Sequence, residues 1–327
     1  MSLEKFRLKI EKILVFRNDR LGEFLLIIPA LRALKKVFQA KITVVANPYL
    51  KELAKCIPEV DEVLIWEPKK HSLREIFSFS SLLRKKKFDL AVIFNPTKEA
   101  HLISFLSRIP LRLGYHRKWG FLLNRKIKDE KDQSRLHEVE YNLQLVKEIG
   151  AYTEDLSLRI ELPQEELNKT QDFLISQTLE PKNYIVISPF CSNSLKEWPL
   201  KNFLELAEKL GKDIKVVVTG SREDQERGRL FNGLKERGVL NLIGKTDLLQ
   251  LAGILKYAEV LISNDSGPVH LACCVGVETV VLFGNTKPSQ SSRRWRPWGE
   301  GHIVIQKPQI FQIRVEEVLR ILKDAIF

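Results

Sequence analysis

The sequence predicts an α/β protein of two halves, each a parallel sheet covered by helices. Three observations predict it. Apolar runs of strand length alternate with amphipathic stretches along the chain, the rhythm of strand–helix–strand crossovers. Those runs are apolar at nearly every residue rather than at alternate ones, as strands buried on both faces require. The rhythm breaks once, over about residues 110–165, and then restarts, so the 327 residues divide into two domains of ordinary size.

The elements follow in order. KILVFRN (12–18) reads as a buried strand, EFLLIIPALRALKKVF (23–38) as a helix and AKITVVAN (40–47) as a strand. DEVLIWE (61–67) and FDLAVIFN (88–95) are further strands, with the helical spacing of HSLREIFSFSSLLRKKK (71–87) between them. HEVEYNLQLVKEIG (137–150) is a helix closed by Gly150, and YTEDLSLRIELPQEELNKT is a polar connector. The second half reads as strands at 183–190, 213–220, 239–244, 258–265 and 278–284. Helices at 199–211, 223–237, 246–257 and 268–275 separate them, and a last amphipathic helix spans 313–326.

The domains are therefore set at 1–165 and 166–312, with 313–327 a C-terminal helix expected to pack back toward the N-terminal domain. Open parallel sheets take ligands at the carboxyl ends of their strands, so two facing halves are expected to enclose a central cleft. Two such Rossmann-like domains form the architecture called GT-B, which by itself fixes no reaction.

Composition bounds the class. Hydrophobic residues make up 44% and charged residues 29%, and no run of about twenty apolar residues is present to span a membrane. The first twenty residues carry charges where a signal peptide needs an apolar stretch, so a cytoplasmic protein is expected. The four cysteines (Cys56, Cys191, Cys273, Cys274) form no CxxC pair, and the six histidines form no HExxH. Neither a disulfide framework nor a metal site is expected. The formal charge of +12 fits either an ion-rich surface or attraction to something acidic: a phosphorylated substrate, an anionic membrane face or nucleic acid.

Four turns carry candidate chemistry. ISNDSGPVHLACCVG places Asp265, Ser266 and Gly267 between a strand and a helix, with His270 in the first turn of that helix. Small residues there let an anion approach backbone N–H groups, and the helix dipole favours it. Asp265 or Ser266 can cap the helix or contact a ligand hydroxyl. SPFCSNSLKEWPLKNF (188–203) is a second strand-to-helix turn, bringing Ser192 and the cation Lys196, and two such turns suit a diphosphate. In VVVTGSREDQERGRL, Asp224 near a helix start either holds ribose hydroxyls or answers the dipole. In VFRNDRLGEFLLIIPAL, Glu23 opens a helix, where a carboxylate can take a proton from a sugar hydroxyl. Other signatures fail. The GKT at 244–246 lacks the P-loop glycine at 239, where Val239 stands, and no GxGxxG follows a strand.

RNDRLGEFLLIIPALRALK, KEWPLKNFLELAEKL and NDSGPVHLACCVGVETVVLFGNTKP resemble, in order and over positions 13–288, signatures of the lipopolysaccharide heptosyltransferases, glycosyltransferase family 9. The resemblance implies a GT-B fold and an inverting, metal-independent transfer without a cofactor. The donor would be ADP-heptose and the acceptor an acidic Kdo/heptose inner core on lipid A. The place would be the cytoplasmic face of the inner membrane, with peripheral association. By the same resemblance Glu23 is the general base, usually an aspartate in the family. Ser192 and Lys196 contact the donor phosphates, and Lys196 offsets charge on the departing ADP. Asp224 contacts the ribose, and Asp265, Ser266, Gly267 and His270 line the donor site.

Departures from the family pattern are Glu23 for aspartate, Cys191 for a small hydroxyl residue, Ser266 for threonine, Asn285 for proline and Lys287 for an acid. They leave room for another nucleotide sugar or acceptor, for an epimerase on the same fold, or for a non-catalytic relative. Basic stretches at 82–88, 116–126 and 291–298 add Lys85, Lys86, Lys87, Arg117 and Lys118, which with Arg20 are candidates for acceptor or membrane contact. No nucleic-acid module accompanies them, so no nucleic-acid partner is expected.

Overall fold

The computed structural model describes residues 10–284, 287 and 290–326. It divides into two compact units, residues 1–157 and 158–327. The first contains strands β1 (Lys12–Phe16), β2 (Lys41–Ala46), β3 (Glu62–Ile65), β4 (Leu90–Ile93), β5 (Leu111–Tyr115) and β6 (Arg125–Ile127). Its helices are α1 (Leu21–Leu25), α2 (Ile28–Phe38), α3 (Lys51–Ala54), α4 (Leu73–Lys86), α5 (Lys98–Leu106) and α6 (Glu138–Lys147). The second contains α7 (Gln164–Ser176), β7 (Tyr184–Ser188), α8 (Leu200–Leu210), β8 (Lys215–Val218), α9 (Gln225–Gly228) and β9 (Val239–Asn241). It continues with α10 (Leu248–Tyr257), β10 (Val260–Asn264), α11 (Gly267–Val275), β11 (Glu278–Gly284), α12 (Ser292–Trp295), β12 (Ile303–Lys307) and α13 (Val315–Ile326).

Among the described residues each unit holds one six-stranded sheet. The orders are β3-β2-β1-β4-β5-β6 and β12-β11-β10-β7-β8-β9, and every pairing is parallel. Counted within its own unit, the second order is the first read backwards, so both are the doubly wound arrangement of two Rossmann-like units. In each, the direction of winding reverses between the first and fourth strands, and the carboxyl ends of those strands flank the natural ligand position. Those strands are β1 and β4 in the first unit and β7 and β10 in the second. β1 and β7 are buried along almost their whole length, which is why their sequences are unbroken apolar runs.

Several expectations change. The helix read at 23–38 is two helices, because Pro29 near the start of α2 has no N–H to continue a ladder from α1. The stretch 110–165 holds β5, β6 and all of α6, and the polar connector ends in α7, whose buried side chains are Thr170 and Leu174. The chain divides between Ser157 and Leu158 rather than at 165. Leu158 and Ile160 are buried, and the Ile160 N–H donates to the Cys274 carbonyl at 3.3 Å, so this segment belongs to the second unit. The last helix, expected to pack toward the N-terminal domain, puts Val315, Val318 and Leu322 into the core of the second unit beside α8. Its Glu316 meets Lys209 of α8 at 2.9 Å.

Candidate active site

In the second unit the loop after β7 and the turn after β10 are stitched together. The Asn264 side chain donates to the Pro189 carbonyl at 2.6 Å and accepts the Trp198 N–H at 2.9 Å. Ser263 donates to the Ser188 carbonyl at 2.9 Å and shares a 2.9 Å hydrogen bond with the Ser266 hydroxyl. Trp198 is fully buried, packs edge-on against Phe203 and donates its indole N–H to the Ile313 carbonyl at 2.9 Å. It anchors the far end of a loop that would otherwise be free.

That anchoring brings Lys196 to Asp265. The ammonium lies 2.5 Å from the carboxylate, with the side chains 19% and 8% exposed. Ser266 takes the N-cap position of α11, yet its side chain makes no capping bond, because the hydroxyl is engaged with Ser263. Gly267 is the first helical residue and His270, one turn in, is buried. Gly276, at a φ of +75°, ends the helix in the left-handed conformation that glycine adopts most readily. A cation and a helix N-terminus thus converge on one turn, which can receive a diphosphate.

The other predicted donor residues sit around this turn with different partners. Ser192 is exposed on the Lys196 loop, next to Cys191, whose thiol donates to the Asn193 carbonyl at 3.0 Å. Burial pushes that thiol up to about 11, so it stays protonated. Asp224 follows β8, and its carboxylate accepts from the Ser221 N–H and hydroxyl at 2.9 and 2.7 Å. Asn285, Thr286 and Pro288 of the signature lie outside the described residues.

In the first unit Glu23 sits half-buried in α1, just beyond the carboxyl end of β1. Its own carbonyl accepts from Arg17 Nε at 2.9 Å. Sequence reading passed over Arg17, which is buried and also donates to the Phe94 carbonyl at the end of β4. Its guanidinium lies 3.2 Å from Asp19 and 3.4 Å from Glu138, and Glu138 meets Lys131 at 2.6 Å. Burial opposes the Arg17 charge, but Asp19, Glu138 and Glu23 outweigh it and hold the guanidinium charged. Burial raises Asp19 to about 6 against the pull of Arg17, with Glu23 adding to the rise. No local pattern announces these partners, since Glu138 is 121 residues from Arg17.

The candidate acceptor residues divide by position. Arg20, Arg117 and Lys118 follow β1 and β5 and are exposed at the same strand-carboxyl edge as Glu23. Arg117 pairs with Asp129 at 3.3 Å. Lys85, Lys86 and Lys87 end α4 at the opposite edge of the sheet, and Lys86 pairs with Glu62 at 2.5 Å. The sheet therefore separates this second group from Glu23.

The model of a family described as glycosyltransferase family 9 (heptosyltransferase) matches residues 76–318. Lipopolysaccharide heptosyltransferase 2 of Salmonella typhimurium is 27% identical over 292 residues, which cover 85% of this chain and 84% of that protein. The structure of E. coli ADP-heptose LPS heptosyltransferase II superposes with a TM-score of 0.83 at 24% identity, covering 96% and 98% of the two chains. That of E. coli heptosyltransferase WaaC with ADP-2-deoxy-2-fluoro heptose gives 0.73 at 20% identity, covering 96% and 99%.

Proposed function

The chain belongs to glycosyltransferase family 9, and we propose that it moves L-glycero-D-manno-heptose from ADP-heptose to the inner core of lipopolysaccharide, inverting the anomeric centre without a metal. The observation that carries this reading is the Lys196–Asp265 pair at the start of α11. The donor's diphosphate lies against the amides of that turn. Lys196, held by Asp265 through one of its three N–H donors, offers the others to phosphate oxygens. A lysine and a helix N-terminus supply the positive charge that a metal supplies elsewhere.

In the reaction an acceptor hydroxyl oxygen bonds to the anomeric carbon from the face opposite ADP. The bond from that carbon to the β-phosphate oxygen breaks. The hydroxyl proton passes to the Glu23 carboxylate, and the bond's electron pair leaves with ADP, where Lys196 and the α11 amides offset it. Ser192 serves the phosphates, Asp224 the ribose, and Ser266, Gly267 and His270 the donor pocket. Arg20, Arg117 and Lys118 attract the acidic Kdo sugars. The acceptor is lipid-anchored, so the protein works at the cytoplasmic face of the inner membrane without crossing it; no described helix is long and apolar enough to cross.

Purified protein given ADP-heptose and truncated core acceptors should release ADP only when both substrates are present. Release with another nucleotide sugar in place of ADP-heptose would overturn the donor assignment. Sugar conversion without an acceptor would point to an epimerase. Binding without turnover on any acceptor would point to a non-catalytic relative.

A further inference from the structure

The first unit carries a groove of about 650 Å³ that the proposed reaction does not use. It lies between the ends of α4 and α5 and the start of β5, at the sheet edge opposite Glu23. Phe77 and Phe105 line it and remain 57% and 47% exposed. Arg84, Arg108 and Arg112 line it as well, and no acidic residue does. Arg112 is fixed by donating to the Ile109 and Leu122 carbonyls, and its guanidinium lies over the Phe105 ring at 5.6 Å. Arg108 holds a left-handed backbone, φ +57°, at the turn between α5 and β5.

The exposed face of α4 continues the pattern. Leu73, Phe77, Ser81 and Arg84 recur at helical spacing, while Ile76 and Leu83 on the other face are buried in the core. Leu73 is 68% exposed. The exposed apolar side chains Leu73 and Phe77 therefore lead along the helix to a cationic end at Arg84, where Lys85 and Lys87 follow. Exposed apolar patches with a polar rim mark interaction surfaces. A site for a soluble anion would need the cations but not the phenyl rings. Cations that pair with lipid phosphates, beside aromatic rings that enter the acyl boundary, suit an anionic membrane surface.

We propose that this groove docks the protein on an anionic membrane, with Phe77 and Phe105 entering the headgroup–acyl boundary and Arg84, Arg108 and Arg112 holding lipid phosphates. The inference deepens the membrane reading above and rests on it.

The test is co-sedimentation of the full chain with phosphatidylcholine vesicles, with and without phosphatidylglycerol. Wild type should bind the phosphatidylglycerol vesicles and release with salt. Arg84→Glu with Arg108→Glu should cut the bound fraction about tenfold or more. Phe77→Ser with Phe105→Ser should remove the binding that survives salt. Both pairs should keep the melting temperature and ADP release on a soluble acceptor. As a check independent of variant folding, Phe77→Trp should gain a blue-shifted emission, over wild type, when vesicles are added. Failure of wild type to bind would overturn the membrane reading itself. Equal binding by wild type and both pairs, or no emission shift from Phe77→Trp, would place docking elsewhere and overturn this inference alone. Dimerisation of wild type without lipid, abolished by the arginine pair, would assign the groove to self-association instead.

Discussion

Lys196 and Asp265, 69 residues apart in sequence, meet at 2.5 Å where α11 begins. The contact depends on the Asn264 side chain, which holds the Pro189 carbonyl on one side and the Trp198 N–H on the other. The protein's own contacts thus place the lysine, which leaves little of its positioning to substrate binding.

Lys196→Ala should lower kcat about 10²–10³-fold, the usual cost of removing a preorganised electrostatic stabiliser. Asp265→Ala should also lower it, by freeing the ammonium from its position. Because the two act as one unit, the double variant should fall little below Lys196→Ala, with a coupling of about 1–3 kcal/mol. A cycle on kcat/KM for ADP release measures this; additive losses would separate the two roles.

The stitching of the loop at 188–198 predicts a split between stability and binding. Trp198→Ala empties a fully buried site and should cost about 3–5 kcal/mol in denaturant unfolding. Asn264→Ala leaves the Trp198 N–H and the Pro189 carbonyl without their partner and should cost about 1–3 kcal/mol. Its ADP affinity, read by calorimetry, should fall while Phe203 and the core beneath remain packed.

Asp19 should make stability fall as pH rises through about 6. Its folded value, raised by burial to about 6, exceeds that of the unfolded chain, so the folded state holds the proton more tightly between about 4 and 6. The melting temperature of wild type minus that of Asp19→Asn should therefore decline across this window and level off above it. A flat difference would show that Asp19 carries no raised proton affinity.

His101 should act in the opposite sense. It is fully buried in the first turn of α5, neither ring nitrogen has a hydrogen-bond partner among the described residues, and burial lowers it to about 4, helped by Lys118. The unfolded chain takes up the proton first, so this stability is present above about 6.5 and is lost as pH falls toward 4. His101→Leu should raise the melting temperature at pH 5 more than at pH 7.5, because it removes both the proton-linked loss and two unpartnered buried nitrogens.

The central strands of both sheets were legible because burial on both faces leaves no polar residue to obscure them. KILVF and YIVIS are such runs. Three strands were not: LRLGY at 111–115, inside the first sheet, and the edge strands RKI at 125–127 and IVIQK at 303–307 carry polar residues that read as loop. α7 escaped notice for the same reason, since two buried residues make too narrow an apolar face to see. The turn chemistry at 188–198 and 264–270 showed in the sequence because strand, small residues and helix start are local features. The partners were hidden. Nothing near Arg17 in the chain reveals that Glu138, with Lys131 beside it, holds its guanidinium. Contacts of long sequence separation are set by the packing of the sheet, not by local spacing.

The most direct test of the account is steady-state ADP release from ADP-heptose and a heptose-deficient core acceptor by wild type and by Glu23→Gln. The account predicts turnover by wild type and a fall in kcat of about 10²–10⁴-fold in Glu23→Gln, with ADP-heptose affinity little changed. Wild-type turnover that Glu23→Gln matches would contradict it, because the proton would then be leaving the acceptor by another route.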